Sequence, residues 1–168
     1  HGVTGSGKTE IYLRSIQLVL NLNRSAVMVV PEISLTPQTV ERFRQRFGDQ
    51  VAVLHSGLTQ KERFYEWKKI RDEKVSIAVG ARSAIFAPFK NLGIIVIDEE
   101  HDTSYKQDSC PRYHARDSAI VRAQKHNALV LLGSATPSLE SIKNAERGKY
   151  HYLSLEKRVH NRTLPIVK

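Results

Sequence analysis

Among 168 residues there is one cysteine, Cys110, and one methionine. A lone cysteine excludes an internal disulfide and any metal site built from cysteines alone, which fits a reducing compartment. No apolar run approaches the ~20 residues that a membrane-spanning helix needs, and no charged-then-apolar leader is present, so a soluble intracellular protein with no membrane partner is expected. Repeats and low-complexity stretches are absent. Acidic charge is also short: 17 Asp and Glu stand against 26 Lys and Arg, a net charge of +9. Residues 1–97 carry net +6 and residues 98–168 net +3, so the excess is spread through the chain and is not confined to a tail. Such a field draws polyanions, although a basic protein can use the same charge for solubility alone. What remains, 40% apolar and 26% charged, is the composition of one ordinary globular domain.

Short apolar runs recur at Ala26–Val30, Val51–Leu54, Val75–Val79, Ile94–Ile97 and Leu129–Leu132. Runs apolar at nearly every position are expected of parallel strands covered on both faces. Between them lies helical spacing. Lys8 to about Asn21 places Leu13, Ile16 and Leu20 on one face, and a second pattern groups Val40, Phe43 and Phe47. A third opens at Thr59 with Glu62 three residues on, a capping box, and is expected to set Phe64, Trp67 and Ile70 inward. Further helices are expected at about Arg116–Lys125 and Ser138–Arg147, the latter stopped by Gly148. The alternation predicts an α/β domain with a mostly parallel sheet flanked by helices.

Gly2-Val3-Thr4-Gly5-Ser6-Gly7-Lys8-Thr9 satisfies G-x-x-x-x-G-K-[ST] and runs straight into a helical pattern. Its glycines let successive backbone N–H groups curl around a phosphate, and the helix presents its positive end to the same anion. Gly2, Thr4, Gly5, Ser6, Gly7, Lys8 and Thr9 are therefore the expected nucleotide-binding residues, Lys8 as a charge on the β and γ phosphates and Thr9 as a Mg²⁺ ligand. Such a loop normally follows a buried strand, and none precedes it here. With no initiator Met, the sequence reads as a piece of a longer protein. A last strand is expected at Tyr150–Leu155, and residues 156–168 read as a linker leading elsewhere.

The P-loop needs a carboxylate at a neighbouring strand end, and Ile94-Ile95-Val96-Ile97 delivers Asp98 there. Asp98 is the expected metal ligand. The adjacent Glu99 can orient and deprotonate an attacking water, which a pure binding switch would not need. Alone, the charges from Asp98 to Asp102 could be a solvated loop; after an apolar strand and beside a P-loop, the catalytic reading is preferred.

Asp98-Glu99-Glu100-His101 resembles the DExH box of superfamily 2 helicases, and Gly133-Ser134-Ala135-Thr136-Pro137 resembles their Ser-Ala-Thr motif. More narrowly, PEISLTPQ at 31–38, His55-Ser56-Gly57, KNLGIIVIDEEHDTSYK at 90–106 and YHARD at 113–117 are similar to the primosomal replication-restart helicases, the primosomal protein N′ family. The similarity covers nearly the whole chain.

That resemblance implies a RecA-like P-loop NTPase lobe at residues 1–155, lacking the strand before the P-loop, with 156–168 leading to a second helicase lobe of the same chain. It implies ATP and Mg²⁺ as cofactors, single-stranded or forked DNA and other primosome or replication proteins as partners, and a bacterial cytoplasm. Zinc is implied only elsewhere in the longer protein, since Cys110 and His114 lack the further ligands a site requires. The resemblance also places the Pro31–Gln38 and Gly80–Ser83 loops on the DNA backbone. Thr36, Gln38, Arg82 and Ser83 can donate to phosphates without reading bases, Thr36 also capping a helix. Tyr105–His114 resembles an aromatic-rich loop that senses DNA, with Tyr105, Tyr113 and His114 able to stack on bases. This sequence has Cys110-Pro111 where another aromatic is expected. His101, Ser134 and Thr136 are candidates for the bridge linking hydrolysis to movement. A RecG-like or restriction-subunit motor, and a nucleotide switch that does not move on DNA, remain as alternatives.

Overall fold

The computed structural model describes residues 1–3 and 5–155; the expected linker at 156–168, and Thr4, lie outside them. The chain alternates helix and strand: α1 (Lys8–Asn21), β1 (Ser25–Val29), α2 (Pro37–Phe47), β2 (Val51–Leu54), α3 (Gln60–Arg71), β3 (Ile77–Gly80) and β4 (Leu92–Ile97). A two-stranded antiparallel pair, β5 (Lys106–Gln107) and β6 (Tyr113–His114), precedes α4 (Ala115–His126), β7 (Leu129–Leu132) and α5 (Leu139–Glu146).

Five strands form one wholly parallel sheet in the order β2-β3-β1-β4-β7. Alternate residues of each strand feed two cores. Ala26, Met28, Ile94 and Val96 pack against Tyr12, Leu13 and Ile16 of α1 and Phe43 and Phe47 of α2. Val27, Val29, Ile95 and Ile97 pack on the other face against Ala115, Ala119 and Ala123 of α4. Every residue of β4 is buried, which is why its sequence is apolar without alternation.

Several expectations shift. β1 and β3 lie a residue or two from the apolar runs that marked them, because hydrogen-bond register and not apolarity sets a strand's ends. Tyr150–Leu155 is not a strand: Leu155 makes one isolated parallel bridge to Gly2, and its N–H donates to the His1 carbonyl at 2.8 Å. No strand precedes α1 among the described residues, although Gly2 N–H pairs with the Ser134 carbonyl at 3.0 Å, beside the end of β7.

Phe64 and Trp67 are not inward; they are 57% and 39% exposed, while Ile70 is fully buried. A three-residue step falls short of a full turn by about 60°, so the series 64, 67, 70 drifts off the buried stripe and only its last member faces in. α3 covers the open edge of β2, where the Glu66 carboxylate accepts the Val53 N–H at 3.2 Å. Trp67 lies under the Arg71 guanidinium, 5.6 Å from its ring centre. The capping box is as expected: Thr59 accepts from Glu62 N, and the Glu62 carboxylate accepts from Thr59 N.

Candidate active site at the carboxyl edge of the sheet

Because all five strands run one way, the segments following them lie along one edge of the sheet, which is where ligand sites form in such folds. Asp98–Asp102 leaves β4, Gly133–Thr136 leaves β7, and the glycine-rich loop enters α1 beside them. Gly5 and Gly7 take left-handed φ of 81° and 90°. Gly7 stands at the N-cap of α1 with no side chain closing the first turn, so donors there are left for an outside acceptor. Among the described residues, Ser6 Oγ is buried without a hydrogen-bond partner. A phosphate cradle accounts for both observations, and the hydroxyl and carboxylate oxygens of Thr9 and Asp98 suit Mg²⁺.

Lys8 is mostly buried; its Nζ donates to the Gly2 carbonyl at 2.8 Å and lies 3.5 Å from Glu99 Oε1. Glu99 adopts φ of 44°, a left-handed conformation costing a non-glycine residue roughly 1–2 kcal/mol. Asp98 Oδ1 accepts two hydrogen bonds, from Tyr12 OH at 2.9 Å and Glu99 N–H at 3.0 Å. Burial pushes the Asp98 carboxyl above its ordinary range, against the pull of the Tyr12 bond. Burial and the Asp98 charge push the Tyr12 phenol far up, so it stays a donor.

His101, Ser134 and Thr136 lie in contact. His101 Nδ1 lies 2.8 Å from Ser134 Oγ and Nε2 3.3 Å from Thr136 Oγ1, while Thr136 N–H donates to Ser134 Oγ at 2.9 Å.

Beside it is a network that sequence reasoning missed. Glu100, only 2% exposed, accepts from Ser138 N–H at 2.7 Å, Ser141 Oγ at 3.0 Å and Arg116 NH1 at 3.0 Å. Burial alone would raise the Glu100 carboxyl, but these donors hold it below its usual range. The only sequence signal was an arginine opening a helix at an otherwise alanine-rich face, Ala115, Ala119 and Ala123. Tyr12 was missed as well, although its place one turn after Lys8 and Thr9 put it on their face of α1.

The candidate DNA residues divide. Tyr105 is fully buried, its OH donating to the Asp98 carbonyl at 2.5 Å. It cannot stack on a base, because its ring fills the core beneath the carboxylate loop. Tyr113 is half-buried, edge-on to Phe86 at 5.1 Å and 5.8 Å beneath the Arg82 guanidinium. Arg82 NH1 donates to the Ser104 and Lys106 carbonyls at 3.1 and 2.6 Å, joining the loop after β3 to the β5–β6 pair. His114 caps α4 by accepting the Arg116 N–H at 3.3 Å, and burial lowers its ring below the ordinary histidine range. Thr36 caps α2 by accepting from Thr39 N–H at 3.2 Å and is exposed, as are Gln38 and Ser83.

The chain matches the family described as DEAD/DEAH box helicase over residues 1–145. The replication restart protein PriA of Bacillus subtilis (strain 168) is 61% identical over 167 residues, 99% of this chain and 21% of its own length. That of Haemophilus influenzae is 57% identical over 162 residues, 96% of this chain and 22% of its own. The chain therefore spans about a fifth of the length of the curated relatives it matches. Among solved structures, RecG bound to a three-way DNA junction superimposes with a TM-score of 0.66 at 24% identity, covering 96% of this chain and 21% of that one. The C-terminal domain of the DEAD-box protein Dbp5 does so at 0.56 and 12%, covering 94% and 85%. At those identities the likeness is one of fold, that of a RecA-like helicase lobe.

Proposed function

The chain belongs to the DEAD/DEAH box helicases, and from that membership we propose that residues 1–155 are the ATP-binding first lobe of a DNA helicase that couples ATP hydrolysis to translocation on single-stranded DNA during replication restart. On this reading the protein works in a bacterial cytoplasm with other replication proteins, which its likeness to bacterial replication restart proteins supports. The observation that carries the reading is the meeting of Lys8, Asp98 and Glu99 at the carboxyl edge, with His101 reaching Ser134 and Thr136 beside them.

Gly5, Ser6, Gly7 and Lys8 would hold the phosphates of ATP, with Gly2 anchoring the loop through its bonds to Ser134 and Lys8 and Thr4 of the same loop outside the described residues, and Thr9 and Asp98 would hold Mg²⁺. The bound metal supplies charge neutralisation on the phosphates. Glu99 takes a proton from the attacking water, its left-handed backbone turning the carboxylate back toward Lys8. His101, Ser134 and Thr136 tie the ends of β4 and β7, so a shift at one strand end is felt at the other. Thr36, Gln38, Arg82 and Ser83 face the DNA backbone. Tyr113 and His114 lie on the segment running from the DNA side to α4, and Tyr105 acts in coupling from beneath the loop, through the Asp98 carbonyl.

Labelled single-stranded DNA, titrated against the chain with nucleotide present, is expected to bind without sequence preference. The logarithm of affinity should fall linearly with the logarithm of salt, by about 0.7 per phosphate contacted. No binding at low salt would overturn the translocase reading. A second lobe would supply the cation that neutralises charge on the transferring phosphate. Steady-state ATPase of this chain alone is therefore expected about 10³-fold or more below that of a protein joining it to such a lobe. Equal rates would show that the lobe is complete by itself.

A further inference from the structure

We infer that Tyr12 is a positioning residue for Asp98, holding one carboxylate oxygen so that the other is presented to the metal of a bound Mg²⁺-nucleotide; this rests on the ATP-site reading above. Tyr12 stands one turn after Lys8 and Thr9 on α1, and its side chain is almost fully buried. From there its hydroxyl crosses to β4 and donates to Asp98 Oδ1 at 2.9 Å. The Glu99 N–H donates to the same oxygen at 3.0 Å. Oδ1 is thus occupied twice, and Oδ2 takes part in neither bond.

A third motif closes the slot. A Cβ built on Gly133, first residue of the Gly-Ser-Ala-Thr run, would overlap the Tyr12 hydroxyl and come within 2.6 Å of Cζ. The Gly133 backbone cannot retreat easily, because its N–H donates to Ile97 at 2.8 Å and its carbonyl accepts from Glu100 at 3.0 Å. Glycine at 133 is therefore what makes room for the phenol. Three separate segments converge on one hydrogen bond: the helix after the P-loop, the carboxylate loop and the Ser-Ala-Thr loop.

The chemistry explains why a tyrosine is needed. Mg²⁺ demands near-ideal octahedral geometry, so a carboxylate free to rotate binds it less well than one already aimed. Outer partners that aim a ligand typically contribute 10–100-fold in metal affinity. Phenylalanine would fill the same slot and leave the carboxylate unheld.

The test is the binding of fluorescent ADP to the chain, with Mg²⁺ titrated in and, separately, with EDTA present. Tyr12→Phe is expected to raise the Mg²⁺ concentration needed for half-maximal tightening by about 10-fold or more, leave affinity in EDTA unchanged, and shift the urea midpoint little. A purely structural role would move the urea midpoint or both affinities together. Gly133→Ala, which drives a methyl into the phenol, is expected to lose at least as much Mg²⁺ response. If wild type responds to Mg²⁺ and Tyr12→Phe responds identically, this inference falls and the ATP site stands. If wild-type affinity ignores Mg²⁺, the ATP-site reading and this inference fall together.

Discussion

Glu99→Gln is expected to bind nucleotide as tightly as wild type and to lose ATP hydrolysis by about 10²–10⁴-fold, the range supplied by a positioned general base. Glutamine keeps the shape of the side chain and its reach toward Lys8 and His101, 3.5 and 3.7 Å away, but it cannot take a proton from water. Lys8→Ala should behave differently. It removes the cation that otherwise pairs with Glu99 and the Gly2 carbonyl, so nucleotide binding weakens and turnover falls by about 10²-fold or more. Single-turnover hydrolysis and nucleotide titration on the same preparations, with a second lobe present, separate the two patterns. Wild-type turnover in Glu99→Gln would remove Glu99 from the chemistry. Unimpaired binding in Lys8→Ala would mean the loop is not a phosphate cradle.

Arg116→Ala is expected to cost about 3–5 kcal/mol of stability at neutral pH, because it strands the Glu100 carboxylate in the interior without its cation. At roughly 2–4 °C per kcal/mol for a domain of this size, thermal unfolding should drop by about 10 °C. The pH dependence gives a second check. The folded state holds the Glu100 carboxyl below its usual range, so its stabilisation is present above the unfolded carboxylate pKa of about 4.3 and is lost as pH falls through the lower folded value. Without Arg116 the carboxyl rises, and protonation then relieves the stranded charge. The deficit of Arg116→Ala should therefore shrink on acidification toward pH 5. Removing both charges while keeping an acceptor for the Ser138 N–H and the Ser141 hydroxyl, Glu100→Gln with Arg116→Met, should recover much of the loss. A deficit that is small, or that does not change with pH, would mean Arg116 is not the partner that keeps Glu100 charged.

Much of the fold was legible because burial leaves a direct mark on composition. β2 and β7 fall on the apolar runs that announced them, and α1 spans Lys8 to Asn21 as its spacing implied. The P-loop, the carboxylate pair and the Ser-Ala-Thr run were legible for a related reason, since each needs particular residue types at fixed short spacings. Helix α3 was half legible. Its start is written in the Thr59–Glu62 box, a local interaction, whereas its buried stripe depends on which edge of the sheet it covers.

The same boundary runs through the site. Sequence alone determined that a glycine-rich G-x-x-x-x-G-K-T run and an acidic pair sit in a parallel α/β frame, because those signals are local and the strand period fixes where loops emerge. Only the tertiary structure decided that Tyr105 lies buried beneath Asp98, that Glu100 is buried against Arg116, and that Tyr12 passes under Gly133 to reach Asp98. Each of these joins residues from separate elements, between 7 and 86 positions apart. Polar residues carry no periodic mark when buried, so which partner each one finds is settled by how the helices pack on the sheet.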